Sequence, residues 1–549
     1  MAAPYHAIVI GGGHNGLVAG AYLAKAGART VVLEARSKTG GAVDTSAPFA
    51  DHPDIRVSTY SYVMSLMPAF IIEELRLAQH GYHVTPFGPY YQAFPDGRSI
   101  SIYGDDPAKT HASVSVFSGK DADTLPAFEA WIHGVTEVVG PLLHQVPPSV
   151  GSLTLGDLLE QSKAAWTMRS LGARGVADAT RLFTMSLSEL LDRWFETEQM
   201  KTIMMVDGLI GQWAGPDSPG TAYVLLHHAI GSVGGESHTV NWGYPRGGMG
   251  TVADSIRDAA RAFGCDVRTE ARVARVLVEG GRAVGVALES GEELRAPVVI
   301  SCIHPKVAFL DLVDRSLLPD DFLVDIEHWK SRSGVVKINV AMSELPNFTA
   351  DPGVEQREHH TGSVELCLSP AYAERAFQDA HLEHRAATAP FVDGAIPTTI
   401  DHDLAPPGVH VFSMFSQWVP HEWSEEPHRE ELEAYADRAI DGYTALAPNF
   451  RDAVIDRQVI GPYDMEQELG LIGGNIFHGE LTVDQLFHMR PSPGYADYRT
   501  PIPGLYHGSS ATHAGGGVNG LPGWQAFRAA REDQRRTRRE AGRVRRGVP

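Results

Sequence analysis

Near the start of the chain stands the most informative segment of its 549 residues, His6-Ala7-Ile8-Val9-Ile10-Gly11-Gly12-Gly13-His14-Asn15-Gly16. Its apolar part is rich in β-branched residues, which favours a buried parallel strand. The glycines favour a tight turn, and Leu17 to Ala26 favours a helix that ends at Gly27. Thr30 to Glu34 then has the pattern of a second strand. This order predicts a βαβ unit that binds a dinucleotide.

The glycines of this turn have separate roles in that prediction. Gly11 lets the chain turn, Gly13 leaves room for a pyrophosphate, and Gly16 lets helix and strand pack closely. The pyrophosphate would lie at the positive end of the helix, beside Asn15. Glu34, at the end of the second strand, can accept hydrogen bonds from both ribose hydroxyls of an adenosine. A purely structural turn is the alternative, which the complete order of elements disfavours.

A family resemblance begins just after this unit. Glu34-Ala35-Arg36 followed by Gly40-Gly41-Ala42 resembles the extension found in FAD-binding flavoproteins of the glutathione-reductase-like and amine-oxidase-like superfamily. The resemblance implies that the nucleotide is FAD and that these residues contact it. In related flavoproteins the segment that corresponds to Ser58–Met64 returns to the nucleotide site, which implies a cofactor contact for Tyr62.

A second tract supports the same assignment. Tyr244-Pro245-Arg246-Gly247-Gly248-Met249-Gly250-Thr251 resembles the phytoene-desaturase-like branch of FAD proteins. The glycines at 247, 248 and 250 would let backbone pass close to a flat ring, with Gly248 and Met249 as the expected cofactor contacts. The resemblance implies that the backbone amide of Val273 holds adenine. An ordinary loop before a helix is the alternative interpretation.

A glycine-rich block near the end of the chain, Pro503 to Gly520, completes the resemblance. Its glycines formally repeat the dinucleotide pattern, but no βαβ unit follows, and the helix from Asn519 runs into the tail. The resemblance implies that this block holds the ribityl chain and the pyrimidine end of the flavin, through Gly508, Ser509, Gly517, Val518 and Asn519. A helix dipole and backbone amides there would stabilise the negative charge of a reduced flavin.

These segments predict an α/β protein in which a Rossmann-like FAD-binding domain is interleaved with an α+β substrate domain. The predicted FAD-binding domain comprises residues 1–75, 240–310 and 455–530. The substrate domain comprises residues 76–239, with a mostly helical part from 121 to 235, and 311–454. Residues 531–549 form a basic tail, rich in arginine.

Composition limits the partners and the compartment. The net charge of −21, from 46 basic and 67 acidic residues, disfavours nucleic-acid binding because the body would repel phosphates. Three widely spaced cysteines, with no Cys-x-x-Cys pair, fit a reduced, cytoplasmic protein. No apolar run reaches the roughly 20 residues of a membrane-spanning helix. Peripheral membrane contact through the basic tail is the remaining membrane hypothesis.

The titratable residues suggest few catalytic groups. His359, His360 and the other histidines lack the spacing of metal ligands, so no metal site is predicted. His478 and His513 are the candidates for proton transfer near the flavin. The alternative is that both only hydrogen-bond to backbone.

The leading functional hypothesis is a phytoene-desaturase-like oxidoreductase with non-covalent FAD that desaturates an apolar, lipid-like substrate. Electrons would leave to oxygen or a quinone, since no second nucleotide unit for NADH or NADPH is readable. A histidyl bond to the flavin from His507 or His513 is left open by composition. The alternatives are an amine oxidase and a flavin- or lipid-binding partner protein with weak turnover. The sequence leaves the oligomeric state undetermined.

Overall fold

The structure is a computed structural model that describes residues 5–143, 145–148, 155–230, 242–513 and 515–545. Within these residues the strands are β1 (Ala7–Ile10), β2 (Thr30–Leu33), β3 (Thr45–Ser46), β4 (Val57–Ser58), β5 (Val84–Pro86), β6 (Tyr90–Ala93), β7 (Ser99–Ile102), β8 (Gly243–Pro245), β9 (Asp266–Arg268), β10 (Val273–Glu279), β11 (Arg282–Leu288), β12 (Glu293–Arg295), β13 (Val299–Ser301), β14 (Val335–Met342), β15 (Ser363–Leu366), β16 (Phe391–Ala395), β17 (His410–Gln417), β18 (Val454–Ile460) and β19 (Leu505–His507).

The α-helices of the described residues are α1 (His14–Lys25), α2 (Ala69–Glu74), α3 (Pro107–Ser115), α4 (Gly119–Leu143), α5 (Leu155–Ser170), α6 (Gly172–Thr184), α7 (Leu187–Asp192), α8 (Glu198–Leu209), α9 (Ala222–Ala229), α10 (Gly250–Ala262), α11 (Asp320–Glu327), α12 (Pro370–His381), α13 (Arg429–Leu446), α14 (Phe450–Ala453), α15 (Pro462–Leu469) and α16 (Leu521–Arg545). The predicted helical part of the substrate domain is confirmed by α4 to α9, as far as the structure describes it.

Five parallel strands form the centre of the first domain, in the order β19-β13-β1-β2-β9. Helices α1, α10 and α16 pack on one face of this sheet, and the antiparallel sheet β10-β11-β12 covers the other. The predicted βαβ unit is confirmed by β1, α1 and β2. Because the strands are parallel, their carboxyl ends meet at one edge, where ligands bind in such sheets.

A seven-stranded sheet forms the second domain, in the order β18-β14-β17-β16-β15-β6-β7. Its strands are antiparallel except for the parallel pair β15 and β6. All eight residues of β14 are buried, because helices and loops cover both faces of the sheet. Residues of α4, α8, α9 and α13 contribute to the apolar core that packs on it.

The strand pairing differs from one predicted boundary. The FAD-binding domain was expected to resume at residue 455, but β18 pairs with β14 through Ile460 and belongs to the seven-stranded sheet. Patterns of apolar residues define elements but do not show which sheet a strand joins, so this boundary was placed by spacing alone. The basic tail from residue 531 is continuous with α16, which extends through Arg545. Among the described residues, no helix has the length and apolar character needed to cross a bilayer.

Candidate active site

The carboxyl end of β1 opens into the predicted glycine turn. Gly11 has a φ of +95°, which favours glycine, and its N–H donates to the carbonyl of Leu33 at 2.8 Å. A Cβ added at Gly16 would lie 1.9 Å from the carbonyl oxygen of Gly11, so α1 can pack this closely only with glycine there. A Cβ added at Gly13 would meet no atom within 4 Å. The space at Gly13 is therefore open at the N-terminus of α1, where an anionic group is stabilised.

Glu34 lies buried at the end of β2, beside this turn. Its Oε2 accepts a hydrogen bond from the N–H of Gly12 at 2.8 Å, and its Oε1 accepts one from the N–H of Arg36 at 2.9 Å. The N–H of Ala271 donates to the carbonyl of Glu34 at 2.8 Å, which brings the start of β10, with Val273, next to β2. The acid and the predicted adenine-side backbone therefore meet at the same strand end.

The extension after β2 folds back onto the glycine turn. Ala35 and Arg36 follow the acid directly, and Nη1 of Arg36 donates to the carbonyl of Gly41 at 3.3 Å. The N–H of Gly40 donates to the carbonyl of Gly12 at 2.8 Å. Gly40 has a φ of +118°, so a larger residue would strain this return. The structure thus brings these predicted cofactor residues together around the turn.

The segment with Tyr62 connects the nucleotide turn to the second domain. Its neighbour Ser61 donates to the carbonyl of Ala42 from N–H and Oγ, at 3.2 and 2.9 Å. The ring of Tyr62 stacks on Phe415 of β17, with centroids 5.4 Å apart, and its hydroxyl donates to Asp393 of β16. Tyr62 was predicted to contact the cofactor, and the structure places its ring over the seven-stranded sheet.

The Gly248–Met249 tract is tied to the hairpin of β3 and β4. The N–H of Met249 donates to Oγ of Ser58 at 3.0 Å, and the N–H of Gly250 donates to Oγ1 of Thr45 at 2.8 Å. Gly248 has a φ of +81°. The side chain of Met249 is buried in the core of the parallel-sheet domain, so only its backbone is left for the predicted cofactor contact.

The glycine-rich block after β19 returns to the N-terminus of α1. Nδ2 of Asn15 donates to Oγ of Ser510 at 3.1 Å. Oγ of Ser509 lies 3.0 Å from Nε2 of His507, and Gly508 lies between these two residues in the sequence. Sequence reasoning considered Ser509 and Ser510 together for the ribityl chain, and the turn that follows β19 directs Ser510 towards Asn15 and Ser509 towards His507.

The end of this block caps α16. Oδ1 of Asn519 accepts from the N–H of Leu521 at 2.8 Å, and its Nδ2 donates to the carbonyl of Gly516 at 3.2 Å. Gly517 has a φ of +94°, and Val518 packs half-buried against the core of the parallel-sheet domain. The predicted residues of this block therefore lead directly into α16.

A narrow cavity, here called the head pocket, opens above the seven-stranded sheet, beside Tyr62. Its volume is about 10 Å³, room for one group the size of a water molecule. The walls are mostly aromatic, and the lining residues are Tyr62, Val63, Phe87, Tyr90, Trp242, Ser363, Asp393 and Ala395. Such a combination of apolar walls with a few polar groups is typical of a binding site for a small ligand group.

The sheet registers place a row of ionisable groups below this pocket. Lys337 of β14 lies opposite Phe415, Phe415 lies opposite Asp393, and Asp393 lies opposite Glu365 of β15. Directly opposed residues in antiparallel strands project from the same face. The row therefore runs across four strands on the face covered by Tyr62.

Lys337 is a fully buried lysine that sequence reasoning missed. Its Nζ donates to Oδ1 of Asn339 and to Oγ of Ser413, each at 2.5 Å, and lies 5.7 Å from the ring centroid of Tyr62. Burial lowers the pKa of Lys337 to about 7, since the charged form loses hydration. The amine can therefore exist in its neutral form near neutral pH and accept a proton.

Two buried acids, Glu365 and Asp393, occupy the other end of the row, and Asp207 of α8 lies near them. Ser363 Oγ is in hydrogen-bond contact with both Glu365, at 2.6 Å, and Asp393. A hydroxyl donates only one hydrogen bond, so one of these two acids must be protonated in this arrangement. Asp207 of α8 accepts from the hydroxyl of Tyr90 at 2.9 Å. Burial raises the pKa of Asp393 and of Asp207 to about 6 each, and raises that of Glu365 well above its usual value.

Comparison with known proteins places this geometry in a family. The family model described as flavin containing amine oxidoreductase matches residues 152–455, more than half of the chain. The chain belongs to the flavin-containing amine oxidoreductases. A second model, an NAD(P)-binding Rossmann-like domain, matches residues 9–70, which contain the glycine turn.

Individual relatives and one solved structure agree with the family. The chain is 39% identical to pyridine nucleotide-disulfide oxidoreductase domain-containing protein 2 of Rattus norvegicus, over 95% of this chain and 92% of that protein. It is 24% identical to a lycopene-forming phytoene desaturase of a Paracoccus species, over 94% and 95%. A redesigned putrescine oxidase has the same fold, with 16% identity, a TM-score of 0.59, and coverage of 97% and 99%.

The cofactor of flavin-containing amine oxidoreductases is FAD, and the residues around the turn fit it. Seven buried polar atoms near the carboxyl ends of β1, β13 and β19 or the nearby loops have no hydrogen-bond partner among the described residues: Nε2 of His14 and His304, Oδ1 of Asn15, Oγ1 of Thr39, Oγ of Ser301, and Nδ1 of His478 and His507. Buried polar atoms are normally paired. A polar ligand such as a pyrophosphate with its sugar chains supplies such partners, and Glu34 is placed for the ribose.

The two histidines proposed for proton transfer lie apart from the head pocket. The ring of His478 is 5.7 Å from that of His304, and burial lowers the pKa of His478 to about 3. Nε2 of His513 lies 2.9 Å from the carbonyl oxygen of Leu142, so this nitrogen is committed to backbone. Neither residue lines the pocket beside Tyr62. Their catalytic role stays a prediction that the geometry does not favour.

The cysteines do not form a disulfide centre within the described residues. Cys265, Cys302 and Cys367 are free and buried. Burial raises the pKa of all three thiols, which disfavours the reactive thiolate. The described residues also include no cluster suited to hold a metal ion. The candidate site comprises the glycine turn, the C-terminal block and the polar row.

Proposed function

We propose that this oxidoreductase desaturates an apolar, lipid-like substrate, with non-covalent FAD as the hydride acceptor. The observation that carries the proposal is the buried Lys337, which lies on a polar row beneath aromatic walls and has no carboxylate within 4.0 Å among the described residues. A dehydrogenation needs a proton acceptor, and a neutral lysine can accept a proton. The full-length similarity to a phytoene desaturase supports a carbon–carbon bond as the target.

In this proposal the flavin supplies the two-electron oxidation, and the chain supplies position and proton transfer. Lys337 accepts the proton from the substrate carbon next to the one that loses hydride. Asn339 and Ser413 fix the direction of its Nζ. Tyr62 covers the row and excludes water, which strengthens these polar interactions. Electrons then leave to oxygen or to a quinone.

An amine oxidase is the second candidate, and one observation favours it. Asp393 lies in a pocket whose other lining groups include four aromatic rings, an environment that suits a positively charged nitrogen. In that case the oxidised bond would be carbon–nitrogen.

Anaerobic single-turnover mixing tests both candidates. The FAD-loaded chain would be mixed with solubilised polyenes, monoterpenes and long-chain amines while the absorbance of oxidised flavin is followed. We expect fast bleaching by a lipid-like compound and slow bleaching by short amines. Bleaching only by short amines would favour the second candidate, and bleaching by none would leave a binding protein with weak turnover.

We also propose peripheral contact with an anionic membrane through the end of α16. Residues 535–540 of this helix are exposed all round and include four arginines, Arg535, Arg536, Arg538 and Arg539, against Glu540. Each arginine near an anionic leaflet contributes about 1 kcal/mol. The acidic body opposes docking elsewhere, so the helix end would orient the molecule.

A further inference from the structure

Arg490 is a fully buried arginine whose positive charge has no acidic partner among the described residues. Its side chain donates hydrogen bonds of 3.0 to 3.3 Å to six backbone carbonyls, those of Phe477, Gly479, Glu480, Gln485, Ser510 and Thr512. An arginine has five N–H donors, so these carbonyls occupy all of them. No carboxylate oxygen lies within 4.0 Å of the guanidinium nitrogens in the part of the chain that the structure describes. Backbone dipoles therefore solvate the charge without neutralising it.

Two acids of the same loop pair with other bases. The carboxylate of Glu480 accepts hydrogen bonds from Nε and Nη2 of Arg332 at 2.8 and 2.9 Å. Oδ2 of Asp484 accepts one from Nζ of Lys330 at 2.7 Å. These acids thus leave Arg490 without a counter-charge, and a buried charge without a counter-charge is costly.

Two of the carbonyl acceptors belong to the block that the sequence predicts for the ribityl chain and the pyrimidine end of the flavin. Nη2 of Arg490 donates to the carbonyl of Ser510 at 3.0 Å, and its Nε donates to the carbonyl of Thr512 at 3.2 Å. Oγ of Ser510 in turn accepts from Asn15 in the first turn of α1. Arg490 therefore lies directly behind the backbone that is predicted to contact the cofactor.

The titratable side chains around Arg490 supply no negative charge. Burial lowers the pKa of Arg490 to about 10, so the guanidinium is charged at neutral pH. Burial also lowers the pKa of His227 and of His478 to about 3 and that of His304 well below its usual value. The charge of Arg490 lowers the pKa of all three histidines further. Burial raises the pKa of Tyr223 to about 12, so this neighbour is neutral as well.

We propose that Arg490 stabilises the negative charge that FAD acquires on reduction and thereby raises the reduction potential of the bound cofactor. A hydride carries two electrons and one proton, so its transfer to neutral flavin leaves one negative charge, centred on N1 and O2 of the pyrimidine ring. A positive charge behind the backbone of Ser510 and Thr512 attracts that charge, and the protein interior screens the attraction less than water does. The effect concerns the cofactor alone and is the same for either proposed class of substrate.

Substitutions of Arg490 separate this electrostatic role from a purely structural one. Arg490→Lys keeps the positive charge and loses the planar fork of donors, whereas Arg490→Met loses both the charge and the donors. If the side chain only tied the loop to the block, both variants would change the cofactor site alike. If its charge acts on the flavin, the lysine variant should resemble the native chain and the methionine variant should not.

The experiment measures the reduction potential of FAD bound to the full chain by equilibration with redox dyes. We expect Arg490→Met to lower the equilibrium constant for reduction about tenfold, which is about 30 mV for a two-electron couple. Arg490→Lys should stay within about threefold of the native value. Sulfite gives a second readout, because it adds to oxidised flavin and places a negative charge on the same ring. The Kd for sulfite should rise about tenfold in Arg490→Met.

Arg528→Met is the matched control, since it removes the same charge from an exposed position of α16. Solvent and salt screen that charge, so its loss should leave the reduction potential unchanged. Equal potentials of the native chain and Arg490→Met would overturn the proposal, as would equal shifts in the two Arg490 variants or a shift of the same size in the control. If Arg490→Met does not retain FAD, the native chain decides. A potential of its bound FAD above that of free FAD would support the proposal, and one below it would overturn it.

Discussion

Nδ2 of Asn15 donates a hydrogen bond to Oγ of Ser510 at 3.1 Å, across 495 positions of the sequence. Asn15 belongs to the first turn of α1, and Ser510 belongs to the block that follows β19. The contact joins the segment that the sequence assigned to the pyrophosphate of FAD with the segment that it assigned to the ribityl chain. Segments from the two ends of the sequence therefore meet at this edge of the parallel sheet.

Gly13 and Gly16 should separate cofactor binding from folding. A Cβ at Gly13 meets no atom within 4 Å, whereas one at Gly16 would lie 1.9 Å from the carbonyl oxygen of Gly11. Gly13→Val should therefore retain its secondary structure and lose FAD, because its side chain fills the space of the pyrophosphate. Gly16→Ala should lower the free energy of unfolding of the apo-protein by about 3 kcal/mol. Circular dichroism and FAD titration measure the two effects, and FAD bound with native affinity by Gly13→Val would refute the assignment.

Glu34→Ala should weaken FAD binding more than folding. The carboxylate is buried next to the turn, and its loss removes charge-assisted hydrogen bonds to the ribose of about 1.5 to 3 kcal/mol. Titration of apo-protein should show a Kd for FAD raised about 10- to 150-fold. Glu292→Ala serves as the control, since its carboxylate contacts only Arg268 at the surface among the described residues. An unchanged Kd in Glu34→Ala would contradict the ribose role.

The sequence identified the nucleotide turn because that motif is local. Strand, glycines, helix and acid lie within thirty consecutive positions, and each part has its own pattern. The polar row is different, because its members come from β14, β16 and β15 and depend on strand register. A register cannot be read from alternation in strands that are buried on both faces.

One signal for Lys337 was present in the sequence. The residue stands within Val335-Val336-Lys337-Ile338-Asn339-Val340, where apolar residues on both sides predict a strand buried on both faces. A lysine at the centre of such a strand must lose its hydration or find buried partners. That argument would have selected Lys337 without knowledge of the strand register. It would not have found Glu365 or Asp393, whose neighbours include glycine and cysteine.

Lys337 should make stability depend on pH above neutrality. Its pKa is lowered to about 7 in the folded chain and is about 10.4 when unfolded. Between these values the unfolded state binds more protons, so the stability of the native chain rises with pH and is smallest below about 7. Relative to Lys337→Met, the native chain should gain about 2 kcal/mol from pH 7 to 9. Denaturant unfolding at several pH values measures this difference, and parallel curves for the two proteins would refute it.

NADH and NADPH should reduce the flavin poorly. The described residues contain one parallel sheet with a glycine turn of the dinucleotide type, at β1, and the block after β19 leads into α16 instead of a second βαβ unit. Stopped-flow mixing with each nucleotide should bleach the absorbance of the oxidised flavin far more slowly than a lipid-like compound that reduces the flavin in the single-turnover test. Fast bleaching by NADPH would overturn this expectation, while slow bleaching leaves oxygen or a quinone as the acceptor.

Membrane contact should depend on the exposed end of α16. Truncation after Ala530 is a poor test, because it also removes Asp533, which anchors the helix. The carboxylate of Asp533 accepts hydrogen bonds from Nη2 of Arg499 at 3.0 Å and from the hydroxyl of Tyr506 at 3.1 Å. The better variant replaces Arg535, Arg538 and Arg539 by glutamine, which removes charge from exposed positions.

Sedimentation with liposomes that contain cardiolipin, at low salt, compares this variant with a control. The control carries the same change at three arginines in or next to the sheet β10-β11-β12, namely Arg272, Arg275 and Arg295. Three arginines at about 1 kcal/mol each predict at least a tenfold loss of membrane affinity in the helix variant. The control should bind like the native chain. If native chain and helix variant sediment equally, the helix end does not hold the membrane, and if neither sediments, the peripheral contact itself is wrong.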